Sequence, residues 1–315
     1  MKYVHLFTLV FLVSHVGLTQ NNTVFTQNTA AERDIKINQF VYGTLLQPQE
    51  KTENLLIIIP GSGPTDRNGN QQLTRNNSLR LLAEKVTASG IATFRYDKRV
   101  LTLLKKGALD EEKLRFDDFV EDALATVTYF KNRYQNIYII GHSQGSLVGM
   151  IAAQQSNIAG YISLAGPGQA IDQTILSQIA LQMPDLTEKA KEAFTELKET
   201  GKVKNYSPAL ASIFRKETQP FMASWMQYIP TQEIKKLQVP VLIVNGTNDI
   251  QVDTKEAEAL KNAKPDATLV LIENMNHVLR IIEGADGLEN TKSYNESRRP
   301  ISKELIEVIT NFISN

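Results

Sequence analysis

The chain has 315 residues, of which 42% are hydrophobic and 22% are charged. Lys and Arg together number 34, as do Asp and Glu, so no excess of positive charge exists to hold a nucleic acid. Cysteine is absent, which excludes disulfides, thiol nucleophiles and Cys-ligated metal centres. The length fits one large α/β domain with an insertion, or two domains.

The first residues have the order of a secretory signal peptide. Lys2 provides a positive start, residues 3–18 are mostly apolar, and a polar stretch rich in Gln, Asn and Thr follows. We assign the signal peptide to residues 1–20, with cleavage near Thr19 or Gln20. An uncleaved membrane anchor is the alternative, but the apolar run is shorter than the roughly 20 residues that a spanning helix needs. We therefore expect an exported bacterial protein, periplasmic or secreted, without stable membrane anchoring after the signal is removed.

Short apolar runs alternate with segments of helical periodicity along most of the chain. An alternating pattern at residues 35–46 predicts an opening hairpin. The following elements are strands at residues 55–59, 91–96, 137–140, 161–164, 241–244 and 269–272, and helices at residues 79–88, 116–132 and 301–313. Continuous apolar strands separated by helices predict a mostly parallel sheet covered by helices on both faces.

Residues 168–238 break this rhythm, because they show helical patterns and no strand. An insertion of this kind between two strands predicts a helical cap over a core formed by residues 21–167 and 239–315. The polar stretch at residues 285–300 is interpreted as a surface loop.

The predicted cap contains a segment rich in aromatic and Met side chains at residues 221–228. Packing of the cap against the core is the favoured interpretation of this segment. An apolar roof over the substrate is the functional alternative, and in that case Trp225 and Met226 would contact the substrate.

The sequence G-H-S-Q-G at residues 141–145 directly follows a predicted strand and precedes a predicted helix at residues 146–153. This is the setting of the G-x-S-x-G nucleophile elbow, where a strained turn presents the serine hydroxyl at a helix N-terminus. Gly141 and Gly145 avoid clashes on either side of the turn. An ordinary Gly-rich turn is the alternative, and the setting favours Ser143 as a nucleophile.

A serine nucleophile needs a base, and the chain has four His residues. His5 and His15 lie in the predicted signal peptide. His142 is adjacent to Ser143, and successive side chains diverge, so it is poorly placed to bind the serine hydroxyl. His277 remains, on the loop after the last predicted strand, at the edge where ligand sites of parallel sheets lie. Elimination and position together favour His277 as the general base.

The third residue of such a site should orient the imidazole and stabilise its cationic form. Asp249 follows the predicted strand at residues 241–244 and precedes His277, which is the chain order of α/β-hydrolases. Asp253 is the nearest competitor, but it begins a predicted helix and is better explained as an N-cap. We therefore choose Asp249 as the acid.

The sequence P-G-S-G-P at residues 60–64 ends the first long apolar strand. Glycines let the backbone approach a substrate, so we predict an oxyanion hole made by the N–H groups of Ser62 (or Gly63) and Gln144, with Gly63 also against the substrate. A phosphate loop is the rival interpretation, but Asp66 stands where a dinucleotide motif has its third Gly.

From about Asn54 to its end, the chain resembles the α/β-hydrolase superfamily. It is similar to exported bacterial esterase-like members with a Gly-Ser-Gly-Pro-x-Asp-Arg-Asn-Gly loop, which here is residues 61–69. R-Y-D-K-R at residues 95–99 matches a second loop of the family, which commonly continues with Gly where this chain has Val100. The resemblance implies an α/β-hydrolase fold and hydrolysis of an ester or related acyl bond without a cofactor. It does not imply a substrate, because this fold hosts many activities.

We predict a serine hydrolase that cleaves a small-molecule acyl ester through Ser143, His277 and Asp249, without cofactor or metal. A serine peptidase of the same fold, such as an aminopeptidase, is the alternative within enzymes, and it would need an anionic pocket for a free amine. A non-catalytic binding protein of this fold is the alternative from another class. Such proteins generally lose members of the triad, and none is missing here.

Overall fold

The computed structural model describes residues 30–284 and 287–315, and the predicted signal peptide lies outside them. The strands are β1 (Ala31–Lys36), β2 (Tyr42–Gln47), β3 (Asn54–Ile59), β4 (Ala92–Tyr96), β5 (Asn136–His142), β6 (Gly160–Leu164), β7 (Val241–Gly246) and β8 (Thr268–Ile272). They form one sheet in the order β1-β2-β4-β3-β5-β6-β7-β8. The β1–β2 and β2–β4 pairs are antiparallel and all other pairs are parallel, so the predicted opening hairpin and mostly parallel sheet are confirmed.

Helices connect the parallel strands. They are α1 (Ser78–Ala88), α2 (Arg99–Lys105), α3 (Asp117–Phe130), α4 (Gln144–Gln154), α5 (Ile171–Gln182), α6 (Thr187–Thr200), α7 (Ala211–Phe214), α8 (Gln219–Trp225), α9 (Pro230–Glu233), α10 (Thr254–Ala263), α11 (Gly287–Ser293) and α12 (Lys303–Ser314). Across the described parts of the chain, no helix has both the length and the apolar character that a membrane crossing requires.

Both faces of the sheet are buried. Along β3, successive side chains point to opposite faces, so Ile57 joins one apolar cluster and Ile58 joins another. The Ile57 cluster includes residues of α3 and α4, and the Ile58 cluster includes residues of α1 and α12. Burial on both faces explains why β3 is a continuous apolar run rather than an alternating one.

The chain between β6 and β7 is helical and has an apolar cluster of its own. Phe194 of α6 and Phe214 of α7 pack with ring centroids 4.7 Å apart, and Met222 and Met226 belong to the same cluster. Trp225 belongs instead to the Ile57 cluster on one face of the sheet. The division of the chain into a core and a cap with the boundaries given above stays a prediction.

The prediction of a surface loop at residues 285–300 is wrong where α11 forms. Asn290 and Ser293 lie three residues apart on one face of α11, and both are buried. Both accept hydrogen bonds from the side-chain amide of Asn276, at 2.9 Å and 2.8 Å. A polar helix face that binds a polar loop has no apolar periodicity, so the sequence pattern did not reveal it.

Candidate active site

Ser143 occupies the sharp turn between β5 and α4. Its backbone has φ 55° and ψ −123°, a strained conformation of a kind that costs a non-glycine residue about 1–3 kcal/mol. A Cβ atom on Gly141 would lie 2.1 Å from the Gly145 oxygen, and one on Gly145 would lie 2.5 Å from the Ile59 oxygen. Only glycine fits at these two positions. The strained residue between them is Ser143, and a turn of this kind exposes the hydroxyl of that residue for nucleophilic attack.

The loop after β3 passes directly over Ser143. A Cβ atom on Gly61 would be 3.2 Å from the Ser143 Cβ atom. Within the described residues, no hydrogen bond joins the Ser143 hydroxyl to His277, whose side-chain partner is the carboxylate described next. Catalytic hydrogen bonds in enzymes without bound substrate are often long and shorten in the complex, so this geometry is compatible with a nucleophile and its base.

His277 and Asp249 form a direct hydrogen bond. Asp249 lies on the loop after β7, and His277 lies on the loop after β8, the neighbouring strand. The His277 Nδ1 atom is 2.7 Å from the Asp249 Oδ2 atom, and their side chains are 5% and 0% exposed. Because an ionised carboxylate can only accept, Nδ1 carries the proton and Nε2 is left to take one. This is the arrangement of a general base and its orienting acid.

The Asp249 carboxylate is held in place by the backbone. Its Oδ1 atom accepts the N–H groups of Gln251 at 2.8 Å and Val252 at 2.9 Å, while Oδ2 faces the imidazole. Asp253 is exposed and caps α10, because its Oδ1 atom accepts the Lys255 N–H at 2.9 Å. The structure thus separates two acids that the sequence places four residues apart.

Two residues that sequence reasoning missed hold the loop of His277. His142 Nε2 lies 2.9 Å from the His277 carbonyl oxygen. Asn276 bridges the loop, since its N–H donates to the Arg280 carbonyl at 2.8 Å and its Oδ1 accepts the Arg280 N–H at 2.9 Å. The position of His142 beside Ser143 argues only against a bond to the serine hydroxyl, and no pattern in the sequence indicates a bond with a carbonyl 135 residues away.

A pocket opens between the loop after β3, the N-terminus of α4 and helix α8. The surface of the pocket is largely apolar, and three charged side chains also line it. The lining residues are Ser62, Gly63, Lys98, Val100, Glu111, Leu114, Phe119, Gln144, Glu217, Thr218, Phe221 and Trp225. The lining therefore includes the residues predicted for the oxyanion hole. It also includes Trp225, one of the two residues that the sequence suggests as substrate contacts. Met226, the other, packs among the helices between β6 and β7 instead.

Three backbone N–H groups at this pocket are available to a ligand. Within the described parts of the chain, the N–H groups of Ser62 and Gly63 donate to no backbone or side-chain acceptor. Gln144 is the first residue of α4, where helix geometry leaves the N–H without an intrahelical acceptor. These N–H groups belong to the loop after β3 and to the start of α4, the two segments from which the sequence predicts an oxyanion hole.

Lys98 is a further residue of the pocket that sequence reasoning did not single out. It is 4% exposed, and its Nζ atom donates to the Gly61 carbonyl at 2.9 Å and to the Gln144 Oε1 atom at 2.5 Å. The same atom lies 4.2 Å from the centroid of the Phe119 ring. Burial lowers the pKa of this amine to about 7, against the opposing effect of Asp122. In the sequence, Lys98 stands out only as part of the R-Y-D-K-R segment that carries the family resemblance.

The two carboxylates of the pocket share one arginine. Arg215 forms an ion pair with Glu111, and its Nη1 atom is 3.3 Å from the Glu217 Oε2 atom. Both acids are therefore partly neutralised by a cation that contacts them directly. Neither Glu111 nor Glu217 is therefore an unpaired carboxylate that could bind the amine of a substrate.

The loop after β3 is tied to the loop after β4. Arg67 donates from Nε to Asp97 Oδ1 at 3.1 Å and from Nη2 to Asp97 Oδ2 at 2.8 Å, and its backbone N–H also donates to Asp97 at 2.9 Å. Asp66 accepts the N–H groups of Asn68 and Asn70 at 2.8 Å each, which closes the turn between them. The loop that carries Ser62 is therefore fixed at a second point beyond β3.

In a comparison with protein families, residues 76–281 match the model of the Hydrolase_4 family, described as serine aminopeptidase, S33. This match contains Ser143, Asp249 and His277 but not residues 61–69. The chain is also 24% identical over 270 residues to esterase EstD of Thermotoga maritima, across 80% of this chain and 61% of that protein. The chain thus spans about three fifths of the length of this curated relative.

Solved structures share the fold at low sequence identity. Est1E from Butyrivibrio proteoclasticus has a TM-score of 0.57 and 19% identity, over 90% of this chain and 99% of that one. Proline iminopeptidase from Mycobacterium smegmatis has a TM-score of 0.54 and 14% identity, over 90% and 98% of the two chains. The predicted α/β-hydrolase fold is confirmed.

Proposed function

The chain belongs to the Hydrolase_4 family, described as serine aminopeptidase, S33, and we propose that it is a serine hydrolase that cleaves esters. One observation carries the proposal. The strained Ser143 and the hydrogen-bonded pair of His277 and Asp249 lie at the same end of the parallel strands β5 to β8, on the loops after β5, β8 and β7. A nucleophile, a base and an orienting acid are the three groups that acyl transfer by serine needs.

The proposed reaction runs through an acyl-enzyme. The Ser143 Oγ atom attacks the ester carbonyl while His277 Nε2 takes its proton, and Asp249 stabilises the imidazolium. The N–H groups of Ser62 and Gln144 bind the oxygen on which negative charge develops. When the C–O bond breaks, His277 returns the proton to the leaving alcohol. A water molecule, activated by His277, then attacks the acyl group and releases the acid and the free serine.

An ester is favoured over a peptide with a free N-terminus. An aminopeptidase needs an unpaired carboxylate to bind the substrate amine, and Glu111 and Glu217 are paired with Arg215. The relative EstD of Thermotoga maritima is named an esterase, which supports the same choice. The apolar residues of the lining, such as Phe119 and Phe221, favour an apolar group on the substrate.

The aminopeptidase remains the second candidate, because the matching family is described as serine aminopeptidase. The test is a panel of p-nitrophenyl esters of graded chain length alongside aminoacyl p-nitroanilides. We expect the highest kcat/KM on an ester. A kcat/KM at least tenfold higher on an aminoacyl anilide than on every ester would overturn the ester proposal and leave the serine mechanism standing.

The mechanism itself is tested with Ser143→Ala. We expect kcat on the best ester to fall by about 10⁴ to 10⁶, because losing one triad member leaves only the binding and oxyanion contributions. Ser156→Ala is the matched control, since Ser156 follows the same helix α4 and donates to the Ala152 carbonyl away from the pocket. A Ser143→Ala variant with more than a tenth of the wild-type activity would refute the assignment.

We also propose that the protein is exported, on the composition of its first 20 residues. The test is fractionation of the native host followed by N-terminal sequencing. The expected product starts near Thr19 to Asn22 and is found outside the cytoplasm. An intact Met1 in the soluble cytoplasmic fraction would overturn this proposal.

A further inference from the structure

Lys98 joins the two halves of the proposed oxyanion hole. One half is the loop after β3, where its amine donates to the Gly61 carbonyl. The other half is the start of α4, where the same amine donates to the Gln144 side chain. A single buried nitrogen thus touches the residue before Ser62 and the residue after Ser143.

The contact with Gly61 has a consequence for Ser62. The Gly61 C=O group and the Ser62 N–H group belong to one peptide unit, which is planar and trans, so the two groups point in opposite directions. A donor that fixes the direction of the Gly61 oxygen therefore also fixes the direction of the Ser62 hydrogen. We infer that Lys98 is a positioning residue that aims the Ser62 N–H at the oxyanion by holding the other side of its peptide unit.

The contact with Gln144 fixes the second donor relative to the first. The Gln144 backbone belongs to the rigid start of α4, and its side chain is 2.5 Å from the Lys98 amine. Gly61 has no side chain, so neighbouring contacts must restrain its peptide unit. The distance between two oxyanion donors depends on such restraints, and a misplacement of about 1 Å can lower a rate by about 100-fold.

The two hydrogen bonds that Lys98 donates to Gly61 and Gln144 do not depend on the charge of the amine. Burial lowers the pKa of Lys98 to about 7, opposed by Asp122, which itself pairs with Arg99. The other charged groups that line the pocket are Glu111 and Glu217. A neutral amine keeps two N–H bonds, which is the number that the Gly61 and Gln144 acceptors need. The positioning role therefore persists on both sides of this pKa.

This inference rests on the proposed function, and the test uses Lys98→Met, which keeps the side-chain length and removes the donors. The measurements are kcat, KM and the inhibition constant of a trifluoromethyl ketone matched to the best ester. This ketone forms a hemiketal oxyanion with the serine, so its affinity reports on the oxyanion hole. A matched ether, which cannot form the adduct, reports on ground-state binding.

We expect Lys98→Met to lower kcat by about 10- to 100-fold and to weaken the ketone by a similar factor, with KM and ether binding changed less than threefold. Lys106→Met is the control, because the Lys106 amine also donates to a carbonyl, that of Gln39, and lies 6.0 Å from a ring, that of Tyr42, away from the pocket. A loss of stability alone would not change the ratio of ketone to ether affinity.

A second variant keeps the inference testable if Lys98→Met does not fold. Gln144→Met removes one acceptor of the amine and keeps the Gln144 backbone N–H, and we expect a smaller loss, up to about tenfold, again parallel in kcat and ketone affinity. Ketone affinity within twofold of wild type in the variants that fold would overturn the inference and leave the proposed function standing. A wild-type enzyme that the ketone does not inhibit would instead count against the proposed function.

Discussion

The imidazole rings of His142 and His277 pack at an interplanar angle of 48° with centroids 4.7 Å apart, and His142 Nε2 lies 2.9 Å from the His277 carbonyl oxygen. A carbonyl only accepts, so Nε2 of His142 carries a proton. Burial first, and then the neighbouring His277, lower the pKa of His142 to about 3. His142 is therefore a neutral donor that holds the backbone of the proposed base.

Replacing His142 should change the dependence of stability on pH. Between pH about 6.5 and 3 the unfolded chain protonates this imidazole and the folded chain does not, so the free energy of unfolding falls as pH falls through this window. His142→Phe removes this contribution, and we expect a flatter slope between pH 7 and 5. At pH 7.5 the lost donor should cost about 1–3 kcal/mol.

The measurement for His142 is urea unfolding of the wild type and His142→Phe at pH 7.5, 6 and 5. The difference between the two proteins isolates His142 from the carboxylates that titrate in the same range. Parallel curves for the two proteins would contradict the neutral, buried state of this imidazole.

Asp249→Asn and Asp253→Asn should separate activity from stability. The amide at position 249 retains the shape but favours the wrong imidazole tautomer, a change that costs about 10⁴ in kcat in a serine protease. Asp253 caps α10, so its replacement should cost at most about 1 kcal/mol and little activity. The measurements are kcat and Tm for both variants. If Asp253→Asn is the inactive one, the acid is misassigned, although the serine mechanism would stand.

Arg67→Met should destabilise the fold, because it leaves the buried Asp97 without its bidentate partner. Hydrogen bonds to charged groups contribute about 1.5–3 kcal/mol, and we expect a loss of this size, with a lower kcat because the Ser62 loop is released. Arg80→Met is the control, since Arg80 pairs with Glu84 on the surface of α1, where such pairs contribute less than about 1 kcal/mol. Equal effects of the two substitutions on unfolding in urea would contradict this expectation.

Activity should survive removal of metal ions. Cysteine is absent from the chain, and across residues 30–284 and 287–315 no group of three or more His, Asp or Glu side chains is placed to hold a metal ion. The check is ester hydrolysis after exhaustive EDTA treatment and dialysis, with an untreated sample as the control. A loss of activity that one divalent ion specifically restores would count against the proposed mechanism.

The sequence alone was enough to predict the sheet, the elbow and the order of the proposed triad. These features are local or periodic: apolar runs alternate with helical stretches, and the tight turn around Ser143 requires Gly141 and Gly145 within five residues. Because parallel strands end at one edge, the loops that carry Asp249 and His277 could be placed at that edge before any distance was known.

Only the tertiary structure decided which side chains meet across long separations in the chain. Lys98 reaches Gly61 and Gln144 because β4, β3 and β5 are adjacent in the sheet, in an order that differs from their order in the chain. His142, at the end of β5, reaches the backbone of His277 on the loop after β8, although β6 and β7 lie between these two strands in the sheet. Hydrogen bonds depend on distance and direction to within a few tenths of an ångström, and the spacing of residues along the chain does not encode either.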